Sequence, residues 1–424
     1  MEIYVVQQGD TINSIAERFG VSIEKLIIDN GLDNPDSLIV GQTIVIAYPK
    51  ETYMVQQGDT LESIANTFHV SVMQLLRNNP FLSDREFIYP GELLVISYNT
   101  KRNIATFGFA FPFIKQDILI KTLPSLTYLA IFNYRVQENA DIYTYVDDTE
   151  IINLTKVYGT VPILLLSILT LQGEPDVDIA YRILLNEELQ EKVINTFVGI
   201  MITKGYGGIN IVINLLNEDN QLLLRNYVRK ISERLKQENL LFFITFNFKD
   251  YETYKNIDYS QFSMYADKII FLQLKWGANY DPPGPVSEIN DIETLINQVI
   301  ANVAPEKIIV GKPTIGYDWP LPYVPDKTSA VSLSIHSVIT LAFETNSTIL
   351  FDEDSQTPYF MYYQTDIGFP TQHIVWFIDA RSVNVLLELI NEVGLYGSGI
   401  WNVMTYFPQL WLLINSQFDI IKII

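Results

Sequence analysis

A chain of 424 residues is too long for one ordinary hydrophobic core, so we expect two or more domains. Its hydrophobic content of 48% and aromatic content of 12% exclude an intrinsically disordered protein. A formal net charge of −21 makes nucleic acid and anionic membrane surfaces poor partners, whereas neutral polysaccharide is not repelled. The sequence contains no cysteine, which excludes disulfides, thiolate metal sites and cysteine nucleophiles.

Targeting and membrane segments are not expected. The opening MEIYVVQQGD shows no basic segment followed by an apolar one, so we predict no secretory signal peptide. The longest apolar runs, such as 161–171, are much shorter than the roughly 20 residues of a membrane-spanning helix. The apolar tail 411–424 is interrupted by polar residues and is predicted to be a packed terminal helix.

The first hundred residues contain a tandem repeat. YVVQQGDTINSIAERFGVS recurs as YMVQQGDTLESIANTFHVS about fifty residues later. In the first copy, a short strand is followed by two amphipathic helices, the first capped by Asp10 or Thr11 and the second by Ser22, and a second strand closes the unit. We predict two βααβ modules, module 1 over residues 1–49 and module 2 over residues 50–99.

This pattern resembles the LysM module, which binds glycans that contain N-acetylglucosamine, such as peptidoglycan and chitin. The Y-x-V-Q-x-G-D-T opening, a central Asn and a Gly before the last strand carry the resemblance. It implies a sugar between loops 9–12 and 35–40 in module 1, and between loops 58–61 and 87–90 in module 2. The implied glycan-binding residues are Gly9, Asp10, Thr11, Ile12, Asn30, Gly58, Asp59, Thr60, Leu61 and Asn78, with Asn79 as the alternative to Asn78. Equally, the Gly, Asp and Thr could serve only to turn the chain and cap the helix.

Beyond residue 100, short apolar runs alternate with amphipathic segments. This alternation predicts an α/β fold, a (β/α)8 TIM barrel over residues 100–424. The segment of about 316–380 is too long for one helix and is predicted to be a small α+β insertion before the last strand. The eight predicted strands are 104–110, 127–132, 161–166, 208–213, 241–246, 268–274, 307–312 and 399–404.

Five segments at the predicted strand ends resemble glycoside hydrolase family 18, in its LysM-bearing, spore-associated branch. They are GYGGINIVIN, FLQLKWG, IIVGKPTIGYDWPLP, VWFIDARS and SGIWNVM. That branch includes N-acetylglucosaminidases that degrade cortex fragments. The resemblance implies synthesis in the mother cell and a location on the spore coat or cortex surface. It also implies peptidoglycan, cortex fragments and other spore coat proteins as partners, with no cofactor.

The chemistry expected of that family depends on its fourth strand, D-x-x-D-x-D-x-E. The resemblance implies that the Glu protonates the leaving oxygen and that the preceding Asp orients the acetamido group of the substrate. The family's sixth strand usually carries a Tyr, where this sequence has Leu274. Because this sequence has no Glu at the last position of the fourth-strand motif, we expect an inactive barrel that serves as a lectin or scaffold. The residues at the four motif positions are Gly207, Asn210, Val212 and Asn214.

Aromatic and amide side chains remain at the predicted barrel mouth, where they suit the faces of sugar rings. No spacing of His with carboxylates predicts a metal site. Two alternatives stay open: an active N-acetylglucosaminidase in which Glu218 or Asp219 replaces the acid, and a structural coat or filament protein without sugar contact. The candidate sugar-contacting residues of the barrel are Asn214, Trp276, Tyr317, Trp319 and Trp401.

Overall fold

The computed structural model describes residues 1–83, 85, 87–168, 176–214, 216–248, 255–273, 281–365 and 370–423. Two small modules pack against one large barrel. Within the described ranges, no helix is long and apolar enough to cross a membrane.

Both amino-terminal modules have the predicted βααβ order, and their strands pair antiparallel. Each first helix begins with a reciprocal capping box, formed by Thr11 with Ser14 in module 1 and by Thr60 with Ser63 in module 2. Module 1 contains β1 (Glu2–Val5), α1 (Ile12–Phe19), α2 (Ile23–Asn30) and β2 (Thr43–Ile46). Module 2 contains β3 (Glu51–Met54), α3 (Leu61–Phe68), α4 (Val72–Asn78) and β4 (Leu93–Ser97).

The predicted TIM barrel is confirmed. Eight strands pair in parallel around a closed ring, with the last strand hydrogen-bonded to the first. Their side chains alternate between the lumen and the surrounding helices. The barrel strands are β5 (Arg102–Ala110), β6 (Tyr128–Val136), β8 (Val161–Ser167), β9 (Gly208–Ile213), β10 (Leu241–Asn247), β11 (Lys268–Leu272), β12 (Ile308–Pro313) and β18 (Gly397–Trp401), and a short β7 (Ile142–Thr144) flanks β6.

Helices cover the outside of the barrel, and the predicted insertion is a five-stranded antiparallel sheet with one helix. The helices are α5 (Gln116–Thr122), α6 (Thr149–Val157), α7 (Val177–Leu184), α8 (Glu187–Lys204), α9 (Gln221–Gln237), α10 (Ser260–Ser263), α11 (Ile289–Val299), α13 (Ala380–Val393) and α14 (Pro408–Gln417). The insertion contains β13 (Ile315–Leu321), β14 (Val331–Ser334), α12 (Ile335–Glu344), β15 (Leu350–Asp352), β16 (Thr357–Thr365) and β17 (Pro370–Trp376).

The carboxyl-terminal tail differs from the predicted helix over 411–424. The helix α14 ends at Gln417, and β19 (Phe418–Ile420) then pairs in parallel with the start of β5. Beyond it, the Lys422 ammonium donates to the backbone carbonyls of Leu123 at 2.8 Å and Leu126 at 2.6 Å. The tail leaves the helical path because strand pairing and these carbonyls satisfy its polar groups at the amino-terminal end of the barrel.

Helix α14 joins both modules to the barrel, since it contacts α2 and α4. The Gln409 amide donates to the carbonyl of Thr43 at 2.6 Å and to Oδ1 of Asn30 at 3.1 Å in module 1. The Asn415 amide donates to the carbonyl of Arg77 in module 2 at 3.2 Å. These side chains are buried, so the contacts hold the modules through hydrogen bonds that water does not compete for.

Two equivalent glycines test this docking. Gly41 and Gly91 both have a left-handed φ, 88° and 92°, and each precedes the last strand of its module. A Cβ at position 41 would lie 1.9 Å from the carbonyl oxygen of Ile349, whereas a Cβ at position 91 meets open space. We expect Gly41→Ala to lower the melting temperature by several degrees more than Gly91→Ala, because only the Cβ at position 41 meets Ile349. The backbone strain of about 1–2 kcal/mol is the same in both variants and cancels in the comparison. Equal shifts in calorimetry would contradict the observed contact.

A buried lysine makes the stability depend on pH. Burial of Lys312 in β12 lowers the pKa of its ammonium to about 7, although Glu293 opposes that shift. The Lys312 ammonium donates to the carbonyl of Ser382 at 3.3 Å. Between pH 7 and the unfolded pKa of about 10.4, the unfolded chain binds a proton that the folded chain does not, so the free energy of unfolding rises with pH.

We expect Lys312→Met to remove that rise, because methionine fills similar space without a charge. The wild-type slope should exceed that of the variant by up to about 1.4 kcal/mol for each pH unit. Urea unfolding of both proteins at several pH values between 7 and about 9.5 measures the two slopes. Parallel curves would show that Lys312 keeps its proton in the folded protein.

Candidate active site

Polar side chains of two adjacent strands lie side by side on the inner surface of the barrel. Asn210 and Asn214 lie on and just after β9, and Thr245 and Asn247 lie on the neighbouring β10. The Asn210 amide donates to the Thr245 hydroxyl at 2.8 Å, and the Asn247 amide donates to Oδ1 of Asn214 at 3.2 Å. Val212, between the two asparagines, packs against the lumen cluster. The three predicted motif positions 210, 212 and 214 therefore share one face, as strand alternation requires.

Below these amides the lumen is filled with aromatic rings. Phe107 lies 5.0 Å from both Phe109 and Phe243, measured between ring centroids. Trp401, at the end of β18, lies 5.1 Å from Phe109 and is 9% exposed. The lumen is therefore a packed core, and only its mouth can receive a ligand.

Trp401 lies at that mouth, and its backbone is fixed. The amide of Thr314 donates to the Trp401 carbonyl at 2.7 Å, which ties the end of β18 to the residue after β12. The position agrees with the predicted sugar contact of Trp401, which remains a prediction.

The predicted role of Trp319 as a sugar contact is not supported. Its ring is 3% exposed and packs against Ala330 and Ile374 of the insertion. Its indole nitrogen donates to the carbonyl of Asp281 at 3.0 Å. Tyr317, 5.5 Å away, is half-buried, and burial raises the pKa of its hydroxyl. Trp319 is a packing residue because the insertion sheet covers its ring.

Three further predicted positions do not contribute to the described mouth. Leu274 and Trp276 lie outside the described residues. Gly207 precedes β9, at the opposite end from the mouth, and a Cβ there would lie 2.4 Å from Cγ1 of Val161. Gly207 therefore allows close packing of β8 and β9 and does not reach a ligand.

The alternative acids are also in unsuitable surroundings. Glu218 and Asp219 lie in a turn beyond β9, and both side chains are exposed. A proton-donating carboxyl group of a glycosidase requires an apolar or charge-paired environment that keeps it protonated. The structure does not give either residue that environment.

Asp148 is a fully buried carboxylate, but it lies behind the barrel wall. Asp148 accepts hydrogen bonds from Tyr134 at 2.6 Å and from Tyr206 at 2.5 Å, and it pairs with Lys204. Burial alone would raise the pKa of Asp148, but these hydrogen bonds outweigh it and the pKa is lowered. Both tyrosines belong to the hydrophobic core between the strands and the outer helices, and not to the cluster that fills the lumen. Asp148 therefore stabilises the helix layer.

Thr245 and Asn247 were not among the predicted site residues. Both follow from the alternation in LFFITFN, where Phe243, Thr245 and Asn247 occupy every second position. Together with Asn210 and Asn214 they form a network of hydroxyl and amide groups. Such groups orient a polar ligand or a water molecule by hydrogen bonding, but they do not transfer a proton as a carboxylic acid does. No cluster that could hold a metal ion occurs among the described residues.

The loops after β1 and β3 are built alike in the two modules. Oδ2 of Asp10 accepts from the Tyr4 hydroxyl and from the Gln7 amide, both at 2.7 Å. The hydrogen bond from Tyr4 is the largest cause of the lowered pKa of Asp10. Asp59 accepts from Tyr53 at 2.8 Å in the same way. The two aspartates therefore shape their loops, and glycan contact by the loop residues remains a prediction.

The predicted glycan contact of the central asparagines is not supported. The Asn30 amide donates to the carbonyls of Leu26 and Val45 and accepts from the Val45 amide, inside module 1. The equivalent residue of module 2 is Asn79, with the same three kinds of bond, and not Asn78. Asn30, Asn78 and Asn79 are all buried, because they join the second helix of a module to its last strand.

Comparison with known proteins agrees with this architecture. The model of the LysM domain matches residues 4–47 and 53–97, and that of glycosyl hydrolases family 18 matches residues 164–405. The cortical fragment-lytic enzyme of Bacillus subtilis (strain 168) is 32% identical, with 100% of this chain and 99% of that protein covered. The same-named enzyme of Bacillus anthracis is 28% identical over 100% and 99% of the two chains. The crystal structure of the Bacillus megaterium QM B1551 spore cortex-lytic enzyme SleL superposes with a TM-score of 0.81, at 27% identity and over 100% and 99% of the two chains.

The expectation that this protein is not an enzyme is wrong. It rested on four positions of the fourth strand and on Leu274 of the sixth, whereas the similarity to cortex-lytic enzymes extends over the whole length. The side chains at the four positions of the fourth strand are still amides, a valine and a glycine. They bear on how the reaction proceeds and do not remove the chain from a family of hydrolases.

The two tryptophans provide a matched test of the mouth. We expect Trp401→Phe to weaken binding of an N-acetylglucosamine tetramer by roughly 3- to 10-fold, because stacking of an aromatic ring contributes on the order of 1 kcal/mol. Trp319→Phe should lower the melting temperature, since the bond to the Asp281 carbonyl is lost, but leave the affinity within about twofold. Isothermal titration calorimetry of the full chain measures the affinity of both variants. Equal losses of affinity would mean that Trp401 does not contact the sugar directly.

Proposed function

Because this chain belongs to glycosyl hydrolases family 18 and carries two LysM domains, we propose that it is a spore-associated N-acetylglucosaminidase that cleaves fragments of cortex peptidoglycan. The observation that carries the proposal is the full-length similarity to the cortical fragment-lytic enzymes. The LysM modules would hold the polymer, and the proposed location is the spore cortex or coat surface.

The barrel mouth supports a glycan as the ligand. Trp401 offers a ring face at the end of β18, and the Asn214–Asn247 pair offers amide groups at the ends of β9 and β10. Sugar sites combine an apolar platform with a few fixed polar groups in this way. The acidic surface does not oppose a neutral sugar.

The reaction uses the acetamido group of the substrate as the nucleophile. Its carbonyl oxygen bonds to C1 as the glycosidic C1–O bond breaks, and water then opens the cyclic intermediate. The amides of Asn214 and Asn247 orient the acetamido group. Since an amide does not supply the proton for the leaving oxygen, that proton comes from water at the mouth, and the reaction is slow and favoured by low pH.

The direct test is cleavage by the purified full chain. Cortex fragments are incubated with the protein and the products are separated by chromatography and identified by mass spectrometry. We expect fragments with a new N-acetylglucosamine reducing end, released faster than without protein. Binding without any cleavage, over a range of pH from about 4 to 8, would refute the proposed activity.

A substitution that introduces the carboxyl group tests the origin of the proton. We expect Asn214→Glu to raise the cleavage rate by about 10²–10⁴, the typical contribution of a positioned general acid. The control, Asn247→Asp, adds a carboxyl group to the partner position and should not reproduce the gain. If Asn214→Glu leaves the rate unchanged or lowers it, the proton already comes from a group of the protein outside β9.

A further inference from the structure

We propose that the two LysM modules have different roles. Module 1 is a fixed structural part of the barrel, and module 2 makes the contact with the polymer. The contact surface, here called the module 2 face, consists of Met54, Phe87, Tyr89 and Leu93. The inference rests on the proposed function, since it takes a polymer of N-acetylglucosamine as the ligand.

The first loops of the two modules do not distinguish them. Gly9 and Gly58 have φ values of 90° and 95°, and a Cβ at either position would meet open space. Thr11 and Thr60 cap the following helices with the same hydrogen bonds. A difference between the modules must therefore come from the loop before the last strand.

In module 1 that second loop is occupied by the barrel insertion. Ile39 is 7% exposed and belongs to the main barrel core. The carbonyl of Val40 accepts from the amide of Ile349 at 2.9 Å, and Gly41 packs directly on the Ile349 carbonyl. A ligand that needs this loop would have to displace the insertion.

In module 2 the same loop is open. Tyr89, the equivalent of Ile39, is 59% exposed, and Phe87 is 68% exposed. The loop has the same local support in both modules, because the Tyr89 amide donates to Glu92 at 2.8 Å and the Ile39 amide donates to Gln42 at 3.1 Å. The open loop is therefore ordered by its own contacts and presents two aromatic rings to solvent.

The adjoining strands show the same contrast. Met54 and Leu93 are paired across β3 and β4, and both side chains are exposed. The equivalent of Leu93 in module 1 is Thr43, which is buried and hydrogen-bonded to Gln409 of the barrel. Module 1 thus uses this face to contact protein, whereas module 2 leaves it free and makes it apolar.

A glycan fits this surface better than a second copy of the chain. Four side chains provide much less than the about 800 Å² that each partner buries in a stable dimer. A net charge of −21 also opposes self-association. Exposed tyrosine and phenylalanine rings next to an unobstructed glycine suit the flat apolar face of a pyranose.

The test compares matched variants of the full chain. Binding to insoluble chitin and to purified cortex peptidoglycan is measured by sedimentation. We expect the double variant Phe87→Ser with Tyr89→Ser to weaken binding by about tenfold or more. Val40→Ser, in the same loop of module 1, should change it less than about twofold. A second pair tests the first loop: Gly58→Asn should weaken binding, whereas Gly9→Asn, with equal backbone strain, should not.

Three outcomes overturn the proposal. The first is an equal loss of binding in the module 1 and module 2 variants. The second is unchanged binding by the Phe87 and Tyr89 double variant, and the third is a dimer that this variant dissociates in analytical ultracentrifugation. Cleavage of soluble cortex fragments is assayed in parallel. If cleavage is retained with any of these outcomes, only the division of roles is refuted. If the unaltered chain neither binds the polymer nor cleaves the fragments, the proposed function is refuted as well.

Discussion

The closure of eight parallel strands is the constraint on which the rest of the structure depends. Because β18 pairs with β5, every second side chain of every strand must enter one shared lumen. Phe107, Phe109 and Phe243 fill it, so the ligand is restricted to the mouth. The same alternation brings Asn214 on one strand to Asn247 on the next, whatever chemistry the two residues perform.

Closure also decides where the modules lie. The chain returns to the first barrel strand through α14 and β19, which leaves α14 on the outside, between the modules and the barrel. Gln409 and Asn415 then hydrogen-bond to module 1 and module 2 respectively. The insertion adds a further contact to module 1, through Ile349. Two repeats with nearly identical local structure therefore experience different surroundings, which is how a duplicated binding module can acquire a structural role.

The mouth of the barrel combines a family fold with amide side chains. Asn210 and Asn214 give the inner face groups that form hydrogen bonds but do not act as carboxylic acids. In a substrate-assisted reaction the nucleophile belongs to the substrate, so the protein contributes orientation and the exclusion of water even without a carboxyl group on that strand. The rate of cleavage by such a barrel depends on how well the amides orient the substrate and on how readily the leaving oxygen receives a proton.

The sequence determined the βααβ repeats, the eight barrel strands and the insertion, because hydrophobic periodicity, capping residues and glycine stops are local signals. The family resemblance pointed to positions 210, 212 and 214, and strand alternation explains why these three residues share the inner face. Only the tertiary structure decided that Trp319 is covered, that Asn30 and Asn79 bind backbone, and that the tail ends in β19. Those outcomes depend on which distant surface covers a residue, and burial by a distant segment leaves no trace in the local pattern.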